Sequence, residues 1–218
     1  MGQFAVIGLG NFGFYVAKTL YEMGHEVLAI DSDREKVDRI SGYSSQAVMV
    51  DAMDKEVLKE LGVDKVDAVV LSLGDRIDAS IMVTLHLKEL GAEKIIVKAV
   101  SEDHRKVLEM VGATEVVFPE KDKAIKTAKT LSFPNALDYL PLAPGFSIVE
   151  IAPPKPFIGK TLADLDLRNK YHVQVIAIRE LIPDRVNLVP RADCIIKDSD
   201  ILVILGRDED LNNIEGIE

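Results

Sequence analysis

The chain has 218 residues, 48% of them apolar and 28% charged, an ordinary balance for a globular protein with one or two cores. Its formal net charge of −10 argues against a nucleic-acid or anionic-lipid surface, and its single cysteine, Cys194, excludes an internal disulfide or a cysteine-based metal cage. No apolar stretch approaches the roughly eighteen residues of a membrane span and no secretory leader is apparent, so we expect a cytoplasmic protein.

A glycine motif follows the first apolar run, residues 4–7. Gly8, Gly10 and Gly13 have the spacing G-x-G-x-x-G, and a helical pattern begins at the last of them. This arrangement predicts a strand, a tight turn and a helix, in which Gly8 permits the turn, Gly10 admits a diphosphate and Gly13 allows close packing. The free amides and the positive end of the helix would then face an anion.

An acidic residue ends the second apolar run, residues 26–30. Asp31 lies eighteen residues beyond Gly13, where a carboxylate can accept hydrogen bonds from both hydroxyls of a ribose and repels a 2′-phosphate. The strand, the helix and the acid together predict a nucleotide-binding site. The alternative is a glycine turn that only packs.

Strands and helices then alternate up to about residue 120. We expect helices after Gly13 and from about residues 33, 54, 77 and 102, with Asp31 or Ser32 as the cap of the second. Six strands alternating with five helices predict a Rossmann-like, doubly wound parallel α/β sheet. The predicted strands are 4–7, 26–30, 47–50, 67–71, 94–99 and 114–118.

Polar residues mark the ends of the third, fourth and fifth strands. Asp51 closes the third, a break at residues 72–74 follows the fourth, and Lys98 lies at the end of the fifth. Because the carboxyl ends of parallel strands share one edge of the sheet, these residues can meet a ligand there. Asp51 could instead cap the next helix, and Lys98 could be an ordinary solvated lysine.

The alternation ends near residue 120. Residues 120–131 have the pattern of an amphipathic helix, and a break at 132–134 leads to a second helical piece, 135–140. We therefore expect a helical crossover over residues 121–142. Its apolar face should be buried against another copy of the chain.

The last part of the chain, residues 143–218, is richer in strand patterns. It predicts a small α+β lobe that is separate from the Rossmann-like lobe, residues 1–120. The expected strands are 146–151, 173–181, 186–189 and 200–205, and the expected helices are 162–170 and one from about 208.

The ordered series of motifs resembles the cytoplasmic regulatory subunits of Trk/Ktr-type potassium uptake, which consist of an RCK domain, a regulator of potassium conductance. The resemblance covers essentially the whole chain, whereas the glycine motif alone would fit many dehydrogenases. The stretches that carry it are 6–13, 27–31, 50–52, 97–98, 107–113, 118–120, 147–150, 159–160, 167–171 and 200–206.

The resemblance implies a nucleotide sensor that is not an enzyme. Members of this family form dimers that assemble into a ring, here expected to be octameric, beneath a membrane-embedded potassium translocation subunit. Binding of ATP, ADP or NAD(H) changes the ring and gates transport. The chain would then be cytoplasmic and held at the inner face of the cell membrane through its partner.

The resemblance also implies which residues contact the nucleotide. Gly8, Gly10 and Gly13 would hold phosphates, and Lys98 would approach them. The residues that would surround the ribose and the adenine are Asp31, Ser32, Asp51, Ala52, Ser72, Leu73 and Gly74.

Position 11 departs from the family pattern. Close relatives often have arginine there, whereas this chain has Asn11, followed by Phe12, within the glycine motif. Asparagine can donate a hydrogen bond to a phosphate but supplies no charge. The choice between ATP, ADP, AMP and NAD therefore stays open, although Asn11 and Phe12 both belong to the candidate site.

Two further ligands are implied by some relatives. Glu120 matches an acidic position that helps to hold a divalent cation between subunits, although a carboxylate at a helix start is also favoured by the helix dipole. Arg168, Asn169 and Lys170 lie in a stretch that matches a cyclic di-AMP site at a dimer interface.

The alternative function is that of an NAD(H)-dependent oxidoreductase with a small substrate lobe, because this glycine motif often serves hydride transfer. Such an enzyme needs a placed acid, base or metal in the second lobe. Only one histidine, His172, lies there, and the sequence offers it no convincing partner. We therefore expect no catalysis.

Overall fold

The computed structural model describes residues 1–132, 136–181 and 184–215. The chain divides into two compact units, Met1–Pro119 and Glu120–Glu218. Within the described ranges, no helix is both long enough and apolar enough to cross a membrane.

The first unit is a six-stranded parallel sheet with helices between its strands, in the order β3-β2-β1-β4-β5-β6. The strands are β1 (Gln3–Ile7), β2 (Glu26–Asp31), β3 (Gln46–Met49), β4 (Ala68–Leu71), β5 (Ile95–Lys98) and β6 (Glu115–Val117). The helices are α1 (Asn11–Glu22), α2 (Arg34–Ile40), α3 (Lys55–Glu60), α4 (Ile77–Leu90) and α5 (Glu102–Val111). The doubly wound α/β prediction is confirmed. The strand order reverses between β1 and β4, which is where such sheets open a crevice at their carboxyl ends.

Both faces of this sheet are covered, which explains why its strands read as continuous apolar runs. Along β1, Ile7 packs into one core with Leu71 and Ile95, while Val6 packs into another core with Phe14 of α1 and Val27 of β2. Because successive side chains alternate between the two covered faces, consecutive central residues of a strand such as β1 are apolar.

The cap of α2 differs from the prediction. Asp33, and not Asp31 or Ser32, accepts the N–H of Glu35 at 3.0 Å and caps the helix. The side chain of Asp31 instead accepts two other backbone N–H groups, those of Leu9 and Asp33.

The second unit contains a five-stranded antiparallel sheet in the order β10-β9-β11-β8-β7, and the predicted α+β lobe is confirmed. Its strands are β7 (Ala136–Ala143), β8 (Phe146–Ile151), β9 (Gln174–Leu181), β10 (Asp184–Leu188) and β11 (Asp200–Arg207). Its helices are α6 (Pro119–Ser132), which begins at the boundary between the units, α7 (Leu162–Leu165), α8 (Leu167–Tyr171) and α9 (Asp208–Glu215).

The helix predicted over residues 135–140 is wrong in its described part, 136–140. That segment belongs to strand β7, which pairs with β8 across a turn at Pro144 and Gly145. Pro141 is compatible with this strand because β7 lies at the edge of the sheet. The break predicted at 132–134 falls at the last residue of α6 and then outside the described residues.

The helix predicted over residues 162–170 is divided into α7 and α8. Asp166 lies between them in the left-handed conformation, with φ of 47°. A residue in that conformation cannot continue a right-handed helix. Arg168, Asn169 and Lys170 therefore all lie on the short helix α8.

Candidate functional site

A cleft of about 220 Å³ lies at the carboxyl ends of β1–β4. It contains many of the residues that the sequence nominates, brought together from four strand ends and the loops that follow them. The predicted site residues that line it are Gly8, Gly10, Asp31, Ser32, Asp51, Ala52, Ser72, Leu73 and Gly74.

The three glycines of the motif have different surroundings. Gly8 has φ of 89°, and a Cβ there would overlap the carbonyl oxygen of Ser72. A Cβ on Gly13 would overlap the carbonyl oxygen of Gly8, so α1 can approach the turn only because this residue has no side chain. A Cβ on Gly10 would meet nothing within 4 Å, and this glycine lines the cleft. Two glycines therefore serve backbone packing, and Gly10 leaves space open.

Asp31 joins the end of β2 to the glycine turn. Its side chain is only 9% exposed, and its two oxygens accept the N–H of Leu9 at 2.6 Å and the N–H of Asp33 at 2.9 Å. A carboxylate has about four lone-pair sites, so acceptor capacity is left for the hydroxyls of a sugar. The carboxylate thus orders the turn and also faces the cleft.

Two basic side chains that the sequence reasoning missed also line the cleft, Lys36 and Arg76. The Nζ of Lys36 lies 3.8 Å from an oxygen of Asp31 and 3.6 Å from an oxygen of Asp33. Arg76 is exposed and stands at the start of α4. In the sequence, the one indication that these residues could line the cleft is that each follows shortly after a strand that ends there.

Asp51 does not cap the next helix. That helix, α3, is capped by Asp54, which accepts the N–H groups of Glu56 and Val57. Asp51 accepts the N–H of Met53 at 3.0 Å within its own turn and remains on the lining of the cleft. Its place beside the cleft is therefore not explained by helix capping.

Other nominated residues lie away from the lining of this cleft. Asn11 and Phe12 contribute to a separate, mostly apolar groove along α1, and Gly13 is buried under the turn. Lys98 ends β5, where it is half-buried and opposite Val117 of β6. The cleft is thus not lined by Asn11, Phe12 or Lys98, which the sequence predicts as ligand contacts.

Glu120 is exposed in the first turn of α6. Across residues 1–132, 136–181 and 184–215, no three His, Cys, Asp or Glu side chains are grouped so that they could hold a metal ion. In the second unit, Arg168 and Asn169 line a pocket of about 460 Å³, and Lys170 does not.

Comparison with known proteins agrees with this two-part architecture. The TrkA-N domain family matches residues 4–119, and the TrkA-C domain family matches residues 146–217. The chain therefore has the architecture of an RCK domain, with a Rossmann-like lobe followed by a small TrkA-C lobe.

The chain is similar over nearly its full length to proteins of bacterial potassium uptake. It is 43% identical to Ktr system potassium uptake protein C of Bacillus subtilis, covering 98% of this chain and 96% of that protein. It is 41% identical to protein A of the same system and organism, covering 98% and 95%, and 33% identical to protein A of Vibrio alginolyticus, covering 97% and 95%. The chain belongs to the family of Ktr potassium uptake proteins.

Solved structures support the fold. The RCK domain of GsuK superposes with a TM-score of 0.68 at 18% identity, covering 99% of this chain and 48% of that one. The GsuK channel gives 0.69 at 18% identity, and the GsuK channel bound to NAD gives 0.54 at 22%. The match to the GsuK channel covers 99% of this chain and 39% of that one, and the match to the NAD-bound channel covers 100% and 38%. This chain therefore spans less than half of each GsuK chain.

Proposed function

We propose that the chain is a nucleotide-sensing regulatory subunit that gates a membrane-embedded potassium translocation subunit of Trk/Ktr type. The observation that carries this proposal is the cleft at the switch point between β1 and β4, lined by Gly10 and Asp31. It occurs in a chain that is 41% and 43% identical to two Ktr potassium uptake proteins over 98% of its length.

The ligand that fits the cleft is an adenine nucleotide, ATP or ADP, or NAD(H). The ribose would lie at Asp31, whose carboxylate faces the cleft with free acceptor capacity. The adenine would lie towards Asp51 and Ala52, and the phosphates would cross the open backbone of Gly10. Asn11 and Lys98 remain proposed phosphate contacts from outside the lining described above.

Gating requires that the ligand bind two conformations of the assembly with different affinity, because equal affinity shifts no population. We infer that the chain forms dimers and that these dimers assemble into an octameric ring. The ring would lie at the cytoplasmic face of the membrane, held there by its potassium-translocating partner. The ligand would favour one arrangement of the paired copies and so open or close the partner.

The proposed role includes no chemical step. A dehydrogenase would need an acid, a base or a metal placed against a substrate. The side chain of His172, the histidine weighed for that task, has no hydrogen bond or ion pair with any residue that the structure describes. No observation in the described ranges favours the oxidoreductase alternative. Absence of NAD(H) turnover with alcohols, aldehydes and hydroxy acids is the expected result.

Two finer ligand proposals concern other places in the chain. A divalent cation at Glu120 would need donors from a second subunit, and cyclic di-AMP would use the pocket lined by Arg168 and Asn169. Thermal-shift measurements with magnesium and with cyclic di-AMP test them separately from the cleft. A ligand-induced rise in melting temperature that Arg168→Gln removes would support the second.

The nucleotide proposal is tested by calorimetric titration of ADP and NADH into the wild-type chain and into Asp31→Asn. We expect Asp31→Asn to weaken both ligands by about 1.5–3 kcal/mol, the range for a hydrogen bond to a charged group. Asp38→Asn is the matched control, because Asp38 lies on the exposed surface of α2, where it forms an ion pair with Arg34. Unchanged affinities in Asp31→Asn would remove the assigned site, and absence of any adenosine ligand bound by wild type would remove the function.

A further inference from the structure

The charged side chains of the cleft are unevenly distributed. Asp31 and Asp51 lie at the ends of β2 and β3, on one side of the glycine turn. Lys36 lies on the same side, but its ammonium group is shared between Asp31 at 3.8 Å and Asp33 at 3.6 Å. Its charge is therefore largely compensated. This side of the cleft suits the uncharged sugar and base of a nucleotide better than its phosphates.

Arg76 forms part of the other side. The loop after β4 is brought against the glycine turn because Gly8 packs directly on the carbonyl group of Ser72. The same loop continues through Gly74 to Arg76, so Gly10 and Arg76 line one cleft from two different loops. No hydrogen bond or ion pair joins the Arg76 side chain to any residue within the described ranges.

The position of Arg76 has no evident role in stabilising the fold. It occupies the N-cap of α4, where the side chain makes no capping hydrogen bond. Serine, threonine, aspartate and asparagine are the residues that stabilise this position, and a cation at the positive end of a helix is unfavourable. An exposed, unpaired guanidinium on a cleft that is also lined by the open backbone of Gly10 is instead suited to an anionic ligand.

We propose that Arg76 recognises the second phosphate of the nucleotide, the one beyond the phosphate attached to the ribose. This proposal rests on the function proposed above and specifies its ligand class as nucleotides with at least two phosphates. Asn11 has no charge to offer, and Lys36 is already held by two carboxylates. The planar guanidinium of Arg76 can donate two parallel hydrogen bonds to one phosphate.

The test is calorimetric titration of AMP and ADP into the wild-type chain, Arg76→Gln and Arg105→Gln. Arg105 lies on α5, outside the lining of the cleft, so Arg105→Gln removes the same charge from the same unit. We expect wild type to bind ADP more tightly than AMP. Arg76→Gln should weaken ADP by about tenfold or more while changing AMP little, and Arg105→Gln should change neither. Arg76→Lys should recover part of the loss, since it restores the charge without the planar fork.

Each other outcome contradicts the proposal in a distinct way. If Arg76→Gln binds ADP as wild type does, Arg76 does not contact the ligand. If AMP and ADP weaken equally, Arg76 acts on the first phosphate or on the shape of the cleft. In both cases the loss of binding in Asp31→Asn would still support the nucleotide function. If wild type binds neither AMP nor ADP, the proposal for Arg76 fails, whereas the proposed function fails only if ATP and NADH do not bind either. An unchanged melting temperature of Arg76→Gln excludes misfolding as the cause of a lost affinity.

Discussion

At the scale of single residues, the glycine motif combines two physical requirements that its spacing does not distinguish. Gly8 and Gly13 are needed because neighbouring backbone atoms occupy the space of a side chain. Gly10 has φ of −59°, which any residue adopts, and open space beside it. Of the three glycines, only Gly10 is not required by backbone packing, so a bound ligand can explain why glycine occurs there.

This difference predicts opposite behaviour of two alanine variants. Gly10→Ala should fold with a free energy of unfolding within about 0.5 kcal/mol of wild type, yet lose about 1–3 kcal/mol of ADP binding because the new methyl group enters the cleft. Gly8→Ala should lose about 1–3 kcal/mol of stability or more, since its φ of 89° adds strain to the overlap with Ser72.

Denaturant unfolding and calorimetry measure the two effects separately. Wild-type ADP affinity in Gly10→Ala would show that the open space beside this glycine is not occupied by ligand. A fully stable Gly8→Ala would contradict the packing of the two loops against each other.

Much of the cleft could be predicted from the sequence at this scale, because strand ends carry their polar residues to a common edge. Asp31 and Ser72 are examples. Lys36 and Arg76 could not be found in this way, since helix-start residues are ordinarily solvated and only the tertiary arrangement turns them towards the cleft. Lys98 shows the converse, a strand-end residue that the lining does not include.

At the scale of elements, the periodicity of apolar residues predicted the sheet of the first unit well. In the second unit, strand pairing replaced one predicted helix by a strand. The segment 136–140 has helix-forming alanine and leucine, but its pairing with β8 makes it a strand. Strand β7 also anchors α6, because the ammonium group of Lys129 donates a hydrogen bond to the buried hydroxyl of Tyr139 at 2.8 Å. That hydrogen bond raises the pKa of Lys129.

The apolar positions of α6 remain uncovered in the single chain. Ile125 is 47% exposed and Leu131 is 80% exposed. We expect two copies of the chain to cover this face mutually, since burial of one such side chain contributes about 1.5–3 kcal/mol. Ile125→Asp should therefore raise the dissociation constant of the dimer by about tenfold or more.

Sedimentation equilibrium at micromolar concentration measures this constant. Lys123→Glu, which also adds negative charge to α6 but on the side away from Ile125, is the control and should leave the dimer intact. A wild-type monomer, or equal weakening by both variants, would contradict the role of this face.

At the scale of the whole molecule, the candidate cleft lies in the first unit of a chain that belongs to the family of Ktr potassium uptake proteins. The fold and the family could be predicted from the sequence because the motifs occur in a fixed order along both lobes. The coupling between ligand and transport could not be predicted, because it depends on the relative affinity of two conformations of the assembly for the ligand.

The most direct test is potassium flux into liposomes that contain a Ktr-type membrane subunit, with and without this chain, in the presence of ATP, ADP or NADH. We predict that flux changes with the nucleotide only when the chain is present, and that Asp31→Asn still joins the membrane subunit but loses this dependence. Flux that is the same with every nucleotide and with Asp31→Asn would contradict the account.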